Sequence, residues 1–184
     1  MDDRTLTGHS KFLSFVLRHR PDSIGISMDS QGWVAIDELL MKCREHDHAL
    51  TREMLDEIVE KNSKRRLAIS EDGSRIRASQ GHSIDVDLGY APAEPPEVLF
   101  HGTANRNLDS IRAQGLQRMQ RHHVHLSSDS ATAAAVGQRH GRAVVLRVRA
   151  GEMVRAAHKF YLSANDVWLT ETVPPEYVEF PEAG

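Results

Sequence analysis

The sequence is poor in cysteine and has no long apolar run. Its 184 residues include one cysteine, Cys43, so no disulfide can form within the chain, and a reducing, cytoplasmic environment is expected. Cys43 falls in a helical pattern and is expected to be a small core residue rather than a nucleophile. No apolar run approaches the roughly 20 residues that span a bilayer, so no membrane contact is expected. The polar start of the chain does not resemble a signal peptide.

Net positive charge is also lacking. The formal net charge is −3 and the pI is about 6.4, whereas proteins that bind duplexes without sequence preference are usually basic. Residues 1–90 carry 13 basic and 16 acidic side chains, and residues 91–184 carry 10 of each. Any contact with nucleic acid must therefore depend on local clusters of basic residues.

Histidine, by contrast, is plentiful, with 11 in the chain. Their spacing does not match a zinc motif such as His-Glu-x-x-His. No metal site is therefore expected.

Apolar periodicity in the first half predicts helices followed by a β-hairpin. Helices are predicted over residues 6–18, 35–44 and 51–62, with Pro21 ending the first and Thr51 capping the third. Alternating polar and apolar residues over 66–70 and 75–79 predict the hairpin. This order indicates a winged-helix-like lobe over residues 1–90.

The second half changes character after a proline-rich linker, residues 91–97. Strands are predicted over 98–101, 124–127, 143–148, 160–162 and 167–170. Helices are predicted over 107–114 and 129–138. Residues 98–184 therefore form a strand-rich lobe, and the whole chain is predicted to be an α+β protein.

Residues 121–127 read as a strand with one apolar and one polar face. Side chains of a strand alternate between faces, so Val124 and Leu126 would point into a core. The other face would carry Arg121, His123, His125 and Ser127. Such a face suits the floor of a polar site, although a solvated outer face with a chance cluster of histidines is the alternative.

A second candidate is the segment His101-Gly102-Thr103, which is predicted to end a strand. Glycine there would let a ligand approach the backbone closely. The alternative is an ordinary turn with Thr103 as a helix cap.

Motifs along almost the whole chain resemble, in order, those of the RNA 2′-phosphotransferase family. Leu99-Phe100-His101-Gly102-Thr103, with Ile111 and Gly115-Leu116, is also similar to the opening strand and helix of the ADP-ribosyltransferase fold. The family motifs are Ser14-Phe15-Val16-Leu17-Arg18-His19-Arg20-Pro21, Gly32-Trp33, Lys64-Arg65-Arg66-Leu67, Arg77-Ala78-Ser79-Gln80-Gly81-His82-Ser83, His101-Gly102-Thr103, Arg121-His122-His123-Val124-His125-Leu126-Ser127, Val136-Gly137-Gln138-Arg139-His140-Gly141 and Val167-Trp168-Leu169-Thr170.

The resemblance implies an RNA-facing lobe over 1–90 and an ADP-ribosyltransferase-like lobe over 98–184 that binds NAD as co-substrate. It implies that an internal RNA 2′-phosphate attacks the anomeric carbon of the nicotinamide ribose, and nicotinamide leaves. The ribose 2-hydroxyl then attacks the phosphorus. The products are RNA with a free 2′-hydroxyl and ADP-ribose 1″,2″-cyclic phosphate.

The resemblance also assigns residues to these steps. Arg18, Arg66 and Arg121 would clamp the phosphate, because a planar guanidinium grips phosphate oxygens with two bonds. His19 would orient the phosphate and assist proton transfer. NAD would be held by His101, Gly102, Thr103, His125 and Ser127.

Each of the four catalytic candidates has a structural alternative. Arg18 and His19 also suit the C-terminal dipole of a helix. Arg66 also suits a solvated hairpin entry, as Arg65 does, and Arg121 the surface end of a strand. Agreement of several motifs in one order favours the functional interpretation.

Other positions are less defined. Phe160 would pack either on the nicotinamide ring or in the core, and Val167 stands where many ADP-ribosyltransferases have a catalytic glutamate. Residues 80–83 are expected to shape the RNA-facing side, with a core or loop role as the alternative. The sequence also departs from the family's usual residues at Leu67, Ser79 and Asp166.

Two other functions stay open. One is NAD-dependent ADP-ribosylation of phosphorylated RNA or DNA ends, which uses the first step only. The other is a noncatalytic nucleic-acid-binding module with an NAD-sensing domain, which the acidic first half disfavours. A monomer is expected, because no heptad or long exposed apolar stripe calls for a dimer.

Overall fold

The structure is a computed structural model and describes residues 3–62 and 64–181. The chain divides into two compact units, Met1–Gly89 and Tyr90–Gly184, so the division falls beside the predicted linker at 91–97. Both units mix helices with sheet, which confirms the α+β class. Within the described ranges, no helix has both the length and the apolar character needed to cross a bilayer.

The helices of unit 1 are α1 Asp3–His19, α2 Ile36–Glu45 and α3 Arg52–Glu60. They match the three predicted helices to within a few residues at each end. Helix α1 ends just before Pro21, which opens a 3₁₀ turn over Pro21–Ser23. The hydroxyl of Thr51 accepts a hydrogen bond from the Met54 N–H, so Thr51 caps α3 as predicted.

A three-stranded antiparallel sheet completes the described part of unit 1. Its strands are β1 Val34–Ala35, β2 Leu67–Ile69 and β3 Arg75–Ala78, in the order β1-β3-β2. Strands β2 and β3 form the predicted hairpin, with Leu67 opposite Ala78.

Unit 1 has its own core, made of buried side chains from its helices and sheet: Leu13, Leu17, Leu39, Cys43, Leu55, Ile58 and Ile76. Burial raises the pKa of the Cys43 thiol to about 11, so the thiol stays protonated at neutral pH. The prediction of Cys43 as a core residue is confirmed.

Unit 2 contains eight strands in its described part. In chain order they are β4 Leu99–Ala104, β5 Leu116–Gln117, β6 Val124–Leu126, β7 Ala143–Val148, β8 Phe160–Leu162, β9 Trp168–Thr170, β10 Thr172–Val173 and β11 Val178–Glu179. They form sheets of order β11-β7-β4 and β6-β9-β8 and a β5–β10 pair. The apolar strand β7 is central in its sheet, as predicted.

Two sheets of unit 2 are joined at one point. The backbone N–H of Phe100 donates to the Ser127 carbonyl, and the N–H of Ser127 donates to the Phe100 carbonyl, each at 2.8 Å. This bridge fixes β4 beside the end of β6. It therefore brings together the two segments that the sequence singles out.

The helices of unit 2 are α4 Leu108–Gln114, α5 Ser130–Gly137 and α6 Ala150–Arg155. The first two confirm predicted helices. Gly115, with φ of 71°, follows α4, and Asp129 caps α5 by accepting from the Thr132 N–H. Helix α6 has six residues and was not predicted.

The predicted end of strand β4 is wrong. The strand continues to Ala104, so Gly102 and Thr103 lie inside it rather than in a turn. The reason is its partner: β7 pairs with all six residues of β4, from Leu99 opposite Val148 to Ala104 opposite Ala143.

The predicted strand over 121–127 is too long. Only Val124–Leu126 is a strand, because a turn precedes it, in which the Arg121 N–H donates to the Arg118 carbonyl at 3.0 Å. Met119 in this turn has a positive φ of 54°. Within the strand the predicted alternation is confirmed, since Val124 and Leu126 are buried and His125 between them is partly exposed.

Candidate functional site

In unit 1 the last turn of α1 meets the entrance of the β2–β3 hairpin. Arg18, which is half-buried, donates from Nη2 to the backbone carbonyl of Arg66 at 3.4 Å. The same carbonyl accepts from the Ser79 N–H at 2.9 Å, and the Ser79 hydroxyl donates to the Arg65 carbonyl at 2.7 Å. Arg18 and Arg66, which are 48 residues apart in sequence, are thereby neighbours.

His19 lies in the same cluster. Its Nδ1 is 2.9 Å from the Ser83 hydroxyl oxygen, and the Ser83 N–H donates to the Arg18 carbonyl at 3.0 Å. The segment 79–83 thus folds against the C-terminus of α1. Sequence reasoning placed this segment on the RNA-facing side but did not identify Ser83 as a partner of His19.

Phe15 is a second residue that sequence reasoning missed. It lies one turn before His19 on α1, its ring centre is 6.1 Å from that of His19, and it is 51% exposed. A large aromatic side chain at position i−4 from a candidate catalytic histidine, outside the apolar stripe of the helix, was the available signal.

The Gly32-Trp33 motif has a structural role in unit 1. The guanidinium carbon of Arg77 lies 4.4 Å from the centre of the Trp33 ring, and Arg77 Nη1 donates to the Gln31 and Leu88 carbonyls at 3.3 Å each. Stacking and hydrogen bonding therefore hold the chain after β3 against the turn before β1.

In unit 2, His101 on β4 faces β6. Its Nδ1 is 3.0 Å from the backbone carbonyl oxygen of His125. A carbonyl only accepts, so Nδ1 carries the proton and Nε2 of the neutral ring has the free lone pair. Burial lowers the pKa of His101; the hydrogen bond to His125 opposes this, and the charge of Arg121 lowers it further. His101 is therefore neutral at pH 7.

Arg121 also contacts β6. Its Nη1 donates to Nδ1 of His125 at 2.9 Å, because a guanidinium has no acceptor. Burial lowers the pKa of Arg121, but a guanidinium stays charged at neutral pH. The structure thus joins His101, Arg121 and His125, and the backbone bridge of Ser127 to Phe100 places Ser127 next to them.

Gly102 and Thr103 have packing roles. A Cβ on Gly102 would lie 1.6 Å from the Ala133 carbonyl oxygen of α5, so only glycine lets α5 approach β4 this closely. The Thr103 hydroxyl accepts from Asn107 Nδ2 at 3.1 Å, and Thr103 is buried. Contact of either residue with NAD stays a prediction.

The structure also shows the surroundings of three further residues that the sequence singles out, Phe160, Val167 and His123. Phe160 is 1% exposed, so it belongs to the core of unit 2, and the nicotinamide alternative is dropped. Val167 lies in a turn closed by Ser163, whose hydroxyl accepts from the Val167 N–H at 3.0 Å. His123 precedes β6 and packs edge-on to Tyr161 at 5.5 Å between ring centres.

The nine candidate residues therefore fall into two groups. Arg18, His19 and Arg66 lie together in unit 1. Arg121 lies with the residues predicted to bind NAD in unit 2.

Comparison with known proteins gives one consistent family. The model of the family described as "RNA 2′-phosphotransferase, Tpt1 / KptA family" matches residues 3–172. A probable RNA 2′-phosphotransferase of Flavobacterium johnsoniae is 51% identical over 180 residues, which are 98% of this chain and 99% of that protein. One from Pseudomonas aeruginosa is 52% identical over 179 residues, 97% of this chain and 98% of that protein. One from Agrobacterium fabrum is 53% identical over 172 residues, 94% and 92% of the two chains.

The match extends over both units, and the resemblance inferred from ordered motifs is confirmed. The chain belongs to the RNA 2′-phosphotransferase, Tpt1 / KptA family.

Proposed function

We propose that this protein transfers an internal RNA 2′-phosphate to NAD, giving 2′-hydroxyl RNA, nicotinamide and ADP-ribose 1″,2″-cyclic phosphate. Family membership supports the removal of the 2′-phosphate. The observation that carries the proposal is the meeting of Arg18, His19 and Arg66 in unit 1. We also propose a monomeric, cytoplasmic enzyme.

The two arginines of unit 1 suit a phosphate monoester, which carries close to two negative charges at pH 7. Arg18 is oriented by its bond to the Arg66 carbonyl, and the Arg66 backbone is fixed by Ser79. Because the Arg18 guanidinium is held in this way, it loses little side-chain freedom on binding, so more of its charge-assisted hydrogen-bond energy contributes to affinity. In the second step the same cations would offset charge on the transferring phosphoryl group.

His19 would handle the proton of this second step. The Ser83 hydroxyl lies within hydrogen-bond distance of Nδ1 and so sets the orientation of the ring. A neutral imidazole oriented in this way can accept a proton from the attacking ribose hydroxyl.

The residues of unit 2 fit a dinucleotide. His101 is neutral, with an acceptor at Nε2, and an acceptor of this kind suits a ribose hydroxyl. NAD supplies the ribose that accepts the phosphate and the nicotinamide that leaves. Arg121, held by His125, would offer a guanidinium to a phosphate. Ser127, fixed by its backbone bridge, would offer a hydroxyl.

Mass spectrometry of the products from NAD and a 2′-phosphorylated oligonucleotide tests the proposal. We expect RNA with a free 2′-hydroxyl, nicotinamide and ADP-ribose cyclic phosphate. An ADP-ribosylated RNA that accumulates as the final product would favour end modification instead. Binding of RNA without nicotinamide release would favour a noncatalytic module.

Arginine variants test the site. We expect Arg66→Ala or Arg121→Ala to lower kcat by on the order of 10³-fold, as loss of a preorganised donor to a charged group does in other enzymes. Arg65→Ala is the matched control, because Arg65 is exposed and adjoins Arg66 in sequence. Circular dichroism should show that all three variants fold, and full activity of Arg66→Ala would contradict the assignment.

A further inference from the structure

Unit 2 contains a cavity of about 660 Å³ that includes none of the nine candidate site residues. Its walls come from the β5–β6 turn, the segment between α6 and β8, strand β8 and the β9–β10 segment. We call it the basic cavity, defined by Arg118, His122, His123, His158, Lys159 and Tyr161.

Positive charge is concentrated in this cavity. Arg118 and Lys159 line it with one carboxylate, Glu171. Among residues 3–62 and 64–181, the structure records no ion pair for Arg118 or Lys159. Of the eight other basic residues of unit 2, four pair with carboxylates in the described part of the chain, namely Arg112, Arg147, Arg149 and Arg155.

The titration of His123 responds to this charge. Burial lowers its pKa most, and the neighbouring His122 and Arg118 lower it further, while Glu171 opposes them. With Arg118 and Lys159 against Glu171, the lining carries a net positive charge, although residues 91–184 carry equal numbers of basic and acidic side chains.

The remaining lining suits a nucleotide. Tyr161 meets His123 edge-on at 5.5 Å, which presents aromatic surface in the cavity. The Thr170 hydroxyl donates to the Lys159 carbonyl at 2.9 Å and so fixes the backbone that carries the lysine. Thr172 adds a hydroxyl. Cations for phosphate, rings for a base and hydroxyls for a sugar are the groups that bind single-stranded RNA.

The cavity adjoins the proposed site through one short turn. Arg118 and Arg121 are linked by the backbone hydrogen bond that closes this turn at 3.0 Å. Arg118 lines the cavity, whereas the guanidinium of Arg121 is bound to His125. A group in the cavity is therefore one turn of chain away from the proposed phosphate ligand.

We propose that the basic cavity binds the phosphodiester backbone of the RNA beyond the dinucleotide step that carries the 2′-phosphate. Arg118 and Lys159 contact its phosphates, and Tyr161 packs against a base. This inference rests on the proposed function, since it assigns a place to the part of the substrate that does not react.

Two substrates that share one 2′-phosphate test the inference: a dinucleotide, and an oligonucleotide of about 12 nucleotides that reaches further along the protein. The test variant is Arg118→Ala combined with Lys159→Ala, both at exposed positions. The control combines Arg112→Ala with Arg155→Ala, which removes the same charge from the same unit at ion-paired positions.

For the test variant we expect the ratio of kcat/KM on the long substrate to kcat/KM on the dinucleotide to fall about tenfold, because phosphate contacts to the long substrate are lost. The slope of log affinity against log salt for the long RNA should fall by about 1.4, since each phosphate contact to a single strand contributes about 0.7. The control variant should leave both the ratio and the slope unchanged.

An equal loss on both substrates, or no loss on either, would overturn the inference. So would an unchanged salt slope. Failure of the unaltered protein to release nicotinamide with any RNA would instead refute the proposed function, and the binding slope would still test the cavity.

Discussion

At the scale of single residues, the hydrogen bond between Ser83 and His19 sets the orientation of the His19 ring. The Ser83 hydroxyl lies 2.9 Å from His19 Nδ1, and the Ser83 N–H is bonded to the Arg18 carbonyl, so Ser83 acts on both residues of the α1 terminus. We therefore propose Ser83 as a positioning residue for His19.

We expect Ser83→Ala to lower kcat about tenfold, because the imidazole of His19 would lose the bond that sets its orientation. The KM for NAD should not change, since Ser83 and the residues proposed for NAD lie in different units. Ser83→Thr keeps a hydroxyl and should recover most of kcat. Steady-state kinetics of both variants provide the measurement, and equal losses in Ser83→Thr and Ser83→Ala would contradict this role.

His101 predicts how the stability of unit 2 depends on pH. Its pKa is below 6.5 in the folded protein, chiefly through burial, and the pKa of His123 is lowered in the same way. As the pH falls through about 6.5, these histidines therefore bind protons in the unfolded chain before they do so in the folded protein. Their contribution to the free energy of unfolding is fully present above that pH and is lost as the pH falls through the folded pKa.

His101→Asn isolates this effect, because an amide keeps a donor for the His125 carbonyl and does not titrate. We expect its free energy of unfolding to vary less between pH 7 and pH 5 than that of the unaltered protein. Urea denaturation followed by Trp168 fluorescence in a Trp33→Phe background reports on unit 2, since the chain has two tryptophans. An unchanged pH dependence would contradict the assignment.

The sequence indicates the charged residues of the site better than their partners. Arg18, His19 and Arg66 lie in motifs that can be read in order along the chain. The hydrogen bond of Ser83 to His19 joins residues 64 positions apart, and no periodicity within either segment encodes it. The exposure of Phe15 likewise depends on what covers α1 in the folded unit.

At the scale of elements, the contact between α5 and β4 depends on glycine. Gly102 faces the Ala133 carbonyl, and Gly137 at the end of α5 faces the backbone of Thr103. Small residues on both surfaces allow backbone-to-backbone packing, and Ala133 is the buried alanine of α5 that takes part in it.

We expect Gly102→Ala to destabilise unit 2 by about 3 kcal/mol or more, because the added Cβ would collide with backbone that can move only if α5 moves. The control is Gly8→Ala in α1, where a Cβ meets nothing within 4 Å. That change should stabilise unit 1 by about 0.5–1 kcal/mol, the usual gain of alanine over glycine in a helix. Denaturant unfolding gives both values, and equal stabilities for Gly102→Ala and the unaltered protein would refute the packing role.

Element boundaries show where sequence patterns are insufficient. The long helices and the central strand β7 were predicted well because their apolar residues recur over many positions. Strand β4 was predicted too short, since glycine at position 102 reads locally as a turn and its pairing with β7 is not local. Strands of two residues, such as β5 and β10, exist only because they pair with each other.

At the scale of the whole molecule, the candidate site residues are divided between two units that each have a core. Core residues of unit 1 lie between positions 13 and 78, and those of unit 2 between 99 and 178. The proposed phosphate ligands are divided as well, with Arg18 and Arg66 in unit 1 and Arg121 in unit 2. The division lies beside the proline-rich linker, where the pattern of predicted elements changes.

This division predicts which amides each substrate protects from hydrogen exchange. A 2′-phosphorylated RNA should slow exchange at Ser79 and Ser83, whose N–H groups bond to the Arg66 and Arg18 carbonyls. NAD should slow exchange at Ser127, whose N–H bonds to Phe100. If the local opening that exposes an amide also requires the ligand to dissociate, a ligand at about 100 times its Kd should slow exchange of that amide about 100-fold.

The matched control is the same RNA without its 2′-phosphate. Its phosphodiesters are unchanged, so protection of Ser79 and Ser83 should fall by at least about tenfold if Arg18, His19 and Arg66 bind the 2′-phosphate itself. Equal protection by the two RNAs would mean that the unit 1 cluster contacts the ordinary backbone. The 2′-phosphate would then have to be bound elsewhere, and the assignment of these three residues would be wrong even if the protein releases nicotinamide.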